Sequence, residues 1–200
     1  MVSIREMNSF SCQLFSVGHS NHDLTDFLKL LAENEIEILV DVRSYPSSRY
    51  SPQFNRNVLS AQLAKSGISY EFFGDSLGGR PRSSDFYDEE GYVLYGKLKE
   101  SETFLSGVDQ LLEMAKGSKV AMMCSEGMPD DCHRHLLVAR VLAERNPRIE
   151  VHHLHPKGGG ISSIKLLEKQ APPQSLFDDL HGKEEMPWKS IQSVSPNTQH

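Results

Sequence analysis

Lys119-Val120-Ala121-Met122-Met123-Cys124-Ser125-Glu126-Gly127-Met128-Pro129-Asp130-Asp131-Cys132-His133-Arg134, running on into Leu136-Leu137-Val138-Ala139-Arg140-Val141-Leu142, is the stretch on which the fold turns. Residues 119–123 read as a buried strand, since a short unbroken apolar run is how a strand covered on both faces is written. Residues 135–145 read as a helix. The connection between them holds two thiols, carboxylates, an imidazole and a guanidinium, far more chemistry than a turn needs. Open α/β sheets place ligands at such strand–loop–helix junctions, where the helix start offers unpaired N–H groups and a positive dipole end.

The pattern repeats outward from this stretch. Leu14-Phe15-Ser16-Val17 predicts a strand ending at Gly18-His19-Ser20-Asn21. Asp23 is placed to cap a helix through Asn34, with Leu24, Phe27, Leu28 and Leu31 on one face. Residues 36–42 form a second strand. A helix from Asn55 or Asn57 to Ser66 follows, with Gly67 as its C′ residue, then a strand over 68–72. Residues 74–100 show no clear periodicity and read as a lid or binding loop. A helix over 103–116 and a last strand over 149–154 complete the series. Strands alternating with helices specify an α/β fold: a Rossmann-like three-layer sandwich with a mainly parallel sheet of about five strands. Residues 12–156 are expected to form this single domain. Residues 157–200 turn polar and rich in Gly, Pro, Ser and Gln, and read as a largely disordered tail with a short helix near 162–169. Trp188 stands in that tail, as part of an extension or of a short docking motif.

A length of 200 residues suffices for one sizeable core. The net charge of −6 argues against a chain whose whole surface grips nucleic acid. Three cysteines without framework spacing point to a reducing compartment, and neither a membrane span nor a signal pattern is legible, so a cytoplasmic location is expected.

Four polar clusters sit where predicted strands end: His19-Ser20-Asn21, Asp41-Val42-Arg43-Ser44, Cys124-Ser125-Glu126 and His153-Leu154-His155. In a parallel sheet those ends share one edge, so the clusters are expected to converge on one cleft. Cys124 is the candidate nucleophile, its thiol expected to be acidified by a helix start and by His133 or Arg134, with a buried structural cysteine as the alternative. The phosphatase and rhodanese loops do not fit, because the next arginine after Cys124 is Arg134. Glu126 suits proton transfer, with Asp131 expected to cap the following helix. Asp41 and His19 suit proton transfer or orientation. Arg43 and Arg134 are the candidate anion binders, against the alternative of internal salt bridges such as Arg43 with Asp41. Ser44, His133 and His153 would also face the ligand. Gly78-Gly79 before Arg80 suggests an anion nest. Tyr87, Tyr92 and Tyr95 are candidates for stacking a base, or core residues. Cys124, Cys132 and His133 are metal-ligand types, but their spacing matches no familiar zinc pattern, and a metal there is the lesser alternative. No cofactor is read from the sequence.

With those residues identified, the chain resembles domain of unknown function 488, over about residues 14–155. The resemblance rests on Val17-Gly18-His19-Ser20-Asn21, on Leu39-Val40-Asp41-Val42-Arg43-Ser44-Tyr45-Pro46, on Pro52-Gln53-Phe54-Asn55, on Leu77-Gly78-Gly79, and on Met123-Cys124-Ser125-Glu126 with Cys132-His133-Arg134. It implies the α/β fold and these site positions, with His153 matching the histidine of the family's last strand, and it brings no settled activity. The leading expectation is a small cytosolic enzyme, of hydrolase or transferase type, binding a phosphorylated or nucleotide-type ligand. The alternative is a non-enzymatic nucleic-acid-binding or regulatory module using the arginine-rich loops at 43–56 and 80–82. The sequence carries no sign of oligomeric state.

Overall fold

Along the chain, β1 (Gln13–Gly18) leads into α1 (Leu24–Glu33), whose N-cap Asp23 accepts from the Thr25 amide at 2.7 Å. β2 (Ile38–Asp41), a 3₁₀ turn (Pro52–Phe54), α2 (Arg56–Lys65) and β3 (Ser69–Phe72) follow; Gly67 after α2 takes the left-handed φ of 74° expected of a C′ glycine. Next come α3 (Gly74–Leu77), a 3₁₀ turn (Ser84–Phe86), β4 (Tyr92–Leu94), α4 (Tyr95–Leu98) and α5 (Glu102–Met114). β5 (Val120–Cys124) is joined to α6 (Arg140–Arg145) through a π-helical segment, Arg134–Ala139. β6 (Glu150–Leu154), β7 (Gly160–Ser162), α7 (Ser163–Gln170) and β8 (Lys189–Ser193) end the series. The computed structural model describes residues 13–155, 159–170 and 188–194.

The main sheet has six strands in the order β3-β2-β5-β1-β6-β7, parallel except for the edge strand β7. Helices cover both faces. Phe27, Leu30 and Leu31 of α1 and Leu59 and Leu63 of α2 pack on Val17, Leu39, Ala121 and Met123. Phe104, Val108 and Leu111 of α5 and Val141 and Leu142 of α6 pack on the opposite set, Leu14, Val40, Val120 and Met122. Successive strand residues thus serve opposite cores, which is why β5 is apolar at every position. The result is a three-layer, Rossmann-like α/β sandwich.

The chain leaves β1 toward β2 and β3 on one side, then returns through β5 and crosses to β6 on the other. The winding therefore reverses between β1 and β5, and in such sheets the crevice outside their carboxyl ends is where ligands bind.

Two stretches differ from expectation. Residues 74–100 are a chain of short elements around β4. Residues 159–170 and 188–194, read as tail, are built into the molecule: β7 extends the main sheet against β6, α7 matches the short helix expected there, and β8 pairs antiparallel with β4. β8 finds its partner β4 nearly a hundred residues back, so local composition did not reveal it, while β7 folds back as a hairpin on β6 across a glycine-rich connection. Trp188 docks on its own chain, donating its indole N–H to the Leu136 carbonyl at 3.1 Å while Arg140 lies 4.2 Å above its ring. Among the described residues, no helix is long and apolar enough to cross a membrane.

Candidate functional site

The carboxyl ends of β1 and β5 stay paired beyond the strands: the His19 amide donates to the Cys124 carbonyl and the Ser20 amide to the Ser125 carbonyl, both at 2.9 Å. Gly18 makes this approach possible, since a Cβ there would lie 1.9 Å from the Glu126 carbonyl oxygen. Beside this junction opens a cleft of about 460 Å³. Its wall includes His19, Ser20, Arg43, Ser44, Cys124, Ser125, Glu126 and His133. Three of the four strand-end clusters thus meet there, and the fourth does not.

The cluster after β2 is an internally closed network. Asp41 is fully buried and holds Arg43 by two bonds, Nε to Oδ1 at 2.9 Å and Nη2 to Oδ2 at 2.6 Å. Tyr70 donates its hydroxyl to the same carboxylate at 2.7 Å. Arg43 also donates to the Phe54 carbonyl at 2.9 Å and to His19 Nε2 at 3.1 Å. His19 donates from Nδ1 to the Ser20 carbonyl at 2.8 Å and stacks on Phe54. Burial, and then the charge of Arg43, hold His19 neutral with a pKa lowered to about 4. The internal Asp41–Arg43 pair that stood as the alternative is therefore present. It spends most of the Arg43 donors and the His19 lone pair on orientation.

The densest chemistry lies at the end of β5. Cys124 Sγ donates to Glu126 Oε2 at 2.7 Å and Cys132 Sγ to the same oxygen at 3.2 Å. His133 Nδ1 faces both sulfurs, at 3.7 Å from Cys124 and 3.8 Å from Cys132. Both cysteines are free thiols and buried. Burial, the hydrogen bond with Cys132 and the negative surroundings push the Cys124 thiol well up, opposite to the acidified nucleophile expected from sequence. Burial is the largest cause, and the partners Cys132 and Glu126 add to it, while the nearby His133 works the other way and Arg134 points elsewhere. Partial desolvation beside the buried thiols would raise Glu126, but the hydrogen bond from Cys124 and the His133 charge outweigh it and lower its pKa to about 2. Asp131 does not cap the helix. The N-cap is His133, with no side-chain bond, and Asp131 lines the cleft instead.

Four consecutive polar residues around the start of the π-helical segment each reach a different partner: Cys132 and His133 just before it, and Arg134 and His135 in its first turn. Cys132 and His133 join the thiol cluster. Arg134, 1% exposed, turns under the loop and donates to the Glu126 carbonyl at 2.7 Å and the Gly127 carbonyl at 2.9 Å. Its Nε reaches Ser16 Oγ at 3.3 Å. Ser16 bonds His153 Nδ1 at 2.6 Å, and His153 Nε2 meets His135 Nδ1 at 3.0 Å. His153 is thus a buried residue behind the site and outside the cleft wall. Burial first, then the electrostatic influence of His135 and Arg134, lowers its pKa to about 3.

With Arg43 and Arg134 committed internally, Arg80 is the cleft-lining cation for which no described carboxylate lies within ion-pair distance. Its amide donates to Ser44 Oγ at 2.9 Å. Neither Gly78 nor Gly79 has a left-handed φ, so the suggested αR–αL nest is not formed. Gly79 instead lies flat on His133, where a Cβ would stand 2.7 Å from the ring Nδ1. Of the three tyrosines considered for stacking, Tyr95 reaches the cleft wall; Tyr45 and Tyr50, 40% and 93% exposed, also line it. Ser190, Ile191, Gln192 and Val194 add a C-terminal strap across one side. Sequence reasoning missed Tyr45, Tyr50 and this strap, because only the fold brings them to the cleft.

Residues 23–141 match the sequence pattern of the family described as Domain of unknown function DUF488. The chain belongs to this family. No curated protein and no solved structure matches it. The DUF488 match takes in Asp41, Arg43, Arg80 and the whole thiol cluster, while His19 and His153 lie just beyond its two ends.

Proposed function

We propose that this DUF488 protein is an enzyme whose reaction site is the cleft at the carboxyl edge of the sheet, and that its substrate is a small phosphorylated, nucleotide-type molecule. The observation that carries this reading is the meeting of a Cys, Cys, His and Glu cluster with a polar cleft at the β1/β5 reversal. Arg80 takes the anion, assisted by the hydroxyls of Ser44 and Ser125. The exposed rings of Tyr45 and Tyr50 supply flat surfaces for a base. Asp41, Arg43 and His19 act as positioning residues that hold the floor rigid. Cys124 and Glu126 belong to the reactive corner. Thiols that must stay reduced suit a cytoplasmic setting.

The test is a thermal-shift panel of inorganic phosphate, nucleoside mono- and diphosphates, sugar phosphates and a short oligonucleotide, run at two salt concentrations. The expected result is stabilisation by one or more nucleotides, modest in its salt dependence and lost in Arg80→Gln. Stabilisation by the oligonucleotide alone, collapsing steeply with salt, would move the protein to the nucleic-acid-binding class. No stabilisation by any compound would remove the ligand class.

A further inference from the structure

The two buried thiols do not sit as core cysteines do. A core thiol packs among apolar groups; these two point at one carboxylate oxygen and one imidazole nitrogen. Nor are they arranged as a disulfide, which needs the sulfurs about 2 Å apart; they are free, each spending its Sγ on the same two partners. The four ligand-type atoms lie within 4.8 Å of one another. We infer that Cys124, Cys132 and His133 form a tripod for one zinc-class divalent ion, with Glu126 at the fourth corner, facing the cleft.

The sulfur–nitrogen and sulfur–oxygen edges can be compared with those of a tetrahedral site, and the remaining edges lie within 4.8 Å. With zinc–sulfur bonds of about 2.3 Å and zinc–nitrogen bonds of about 2.0–2.1 Å, tetrahedral angles separate sulfur from nitrogen by about 3.6 Å. The observed separations are 3.7 and 3.8 Å. The corresponding sulfur–oxygen edge is about 3.5 Å, against 2.7 and 3.2 Å here. Glu126 therefore has to back away by less than an ångström. It belongs to the exposed part of the site, while both cysteines are buried, so it is the member free to move.

The supporting shell is that of a ligand set. His133 donates Nε2–H to the Val42 carbonyl at 3.0 Å, which turns Nδ1 toward the two sulfurs, where loss of its proton would leave a ligating lone pair; metal-bound histidines are fixed in this manner. Gly79 packs against the ring, where a Cβ would stand 2.7 Å from both Cγ and Nδ1. Arg134 pins the carbonyls of Glu126 and Gly127, so the loop that carries the carboxylate is held from beneath. Two thiolates and an imidazole select zinc or a metal of similar softness over magnesium or calcium.

The buried tripod with a single cleft-facing corner is the layout of a catalytic zinc centre, in which the fourth position exchanges with water or substrate. A zinc ion there would supply Lewis acidity or an activated water. That role rests on the cleft being the reaction site; the binding of metal does not.

The experiment uses the full chain, reduced and purified without chelator, with zinc measured by mass spectrometry. Metal-stripped protein is then titrated with Co²⁺ and its thiolate-to-cobalt absorption recorded. One equivalent of zinc, one equivalent of cobalt with a tetrahedral thiolate spectrum, and at least about 100-fold weaker cobalt binding in Cys132→Ser and His133→Gln are expected. Glu126→Gln should keep the stoichiometry and the charge-transfer band while altering the visible ligand-field bands. Failure of folded, reduced wild type to take up either metal overturns the site, as does uptake unchanged in both Cys132→Ser and His133→Gln. If Cys132→Ser does not fold, His133→Gln and the wild-type spectrum still decide. Nucleoside mono- and diphosphates, added to the metal-loaded and to the metal-stripped protein, separate the two proposals. Metal uptake without nucleotide binding by either form leaves the zinc site and removes the cleft reading, and nucleotide binding by protein that takes up no metal does the reverse.

Discussion

Arg134 offers the sharpest test of how the site is held. Its guanidinium is buried, bridges two loop carbonyls at 2.7 and 2.9 Å and touches Ser16 at 3.3 Å, and among the described residues no carboxylate pairs with it. Arg134→Met keeps most of the side-chain length and removes those donors. A hydrogen bond from a charged donor contributes about 1.5–3 kcal/mol, so the two carbonyl bonds sum to about 3–6 kcal/mol. Relief of the buried charge offsets part of that, which favours the lower end, about 3 kcal/mol. With a urea slope of about 2 kcal/mol per molar, the unfolding midpoint should fall by about 1.5 M. Limited proteolysis should also cut faster between residues 125 and 131. Arg134→Lys keeps the charge without the two-pronged geometry and should lose nearly as much. A midpoint shift below about 0.3 M in Arg134→Met, with unchanged proteolysis, would refute the idea that this residue clamps the loop.

Acid should destabilise the fold through two buried imidazoles. His19 and His153 have folded-state pKa values of about 4 and about 3, below the unfolded 6.5, so the unfolded chain takes up these protons first. Their contribution is full above pH 6.5 and falls as pH drops, by about 2 kcal/mol per histidine between pH 7 and 5, partly offset by His133, whose raised pKa works the other way; urea unfolding at the two pH values checks this, and His153→Asn should reduce the loss by about 2 kcal/mol. Asp41→Asn leaves Arg43 buried beside a neutral partner, at a cost of about 3–5 kcal/mol in the same assay. Trp188→Ala removes the indole bond to Leu136 and the contacts with Arg140 and Tyr95, together about 2 kcal/mol. Amide exchange over 189–193 should then speed up roughly 30-fold, with little change in β5.

The strands and long helices were legible because each carries its own local pattern. Asp23 before Leu24, Phe27 and Leu31 announces α1, and the apolar run 119–123 announces β5 to within a residue. What the pattern could not carry was partner choice. Arg43 and Arg134 read either as anion binders or as internal partners; the sequence named Asp41 as a partner for Arg43, but nothing in it showed Arg134 turning beneath its own loop. Cys124 read as a thiol near His133 or Arg134; His133 does face it, but Arg134 turns beneath the loop, and burial beside Cys132 and Glu126 dominates. Gly78-Gly79 suggested a backbone nest, whereas Gly79 is small so that His133 can lie against it. β8 and Trp188 were invisible as structure because their partners, β4 and Leu136, lie tens of residues back.

The cleft itself is tested most directly by nuclear magnetic resonance on ¹⁵N-labelled protein titrated with a nucleoside monophosphate. Shifts should gather on His19, Ser44, Arg80 and Ser125 and vanish in Arg80→Gln while that variant's spectrum otherwise stays folded. Shifts confined to the outer arginines Arg49, Arg56 and Arg82, or none at millimolar ligand, would contradict a reaction site at the β1/β5 reversal.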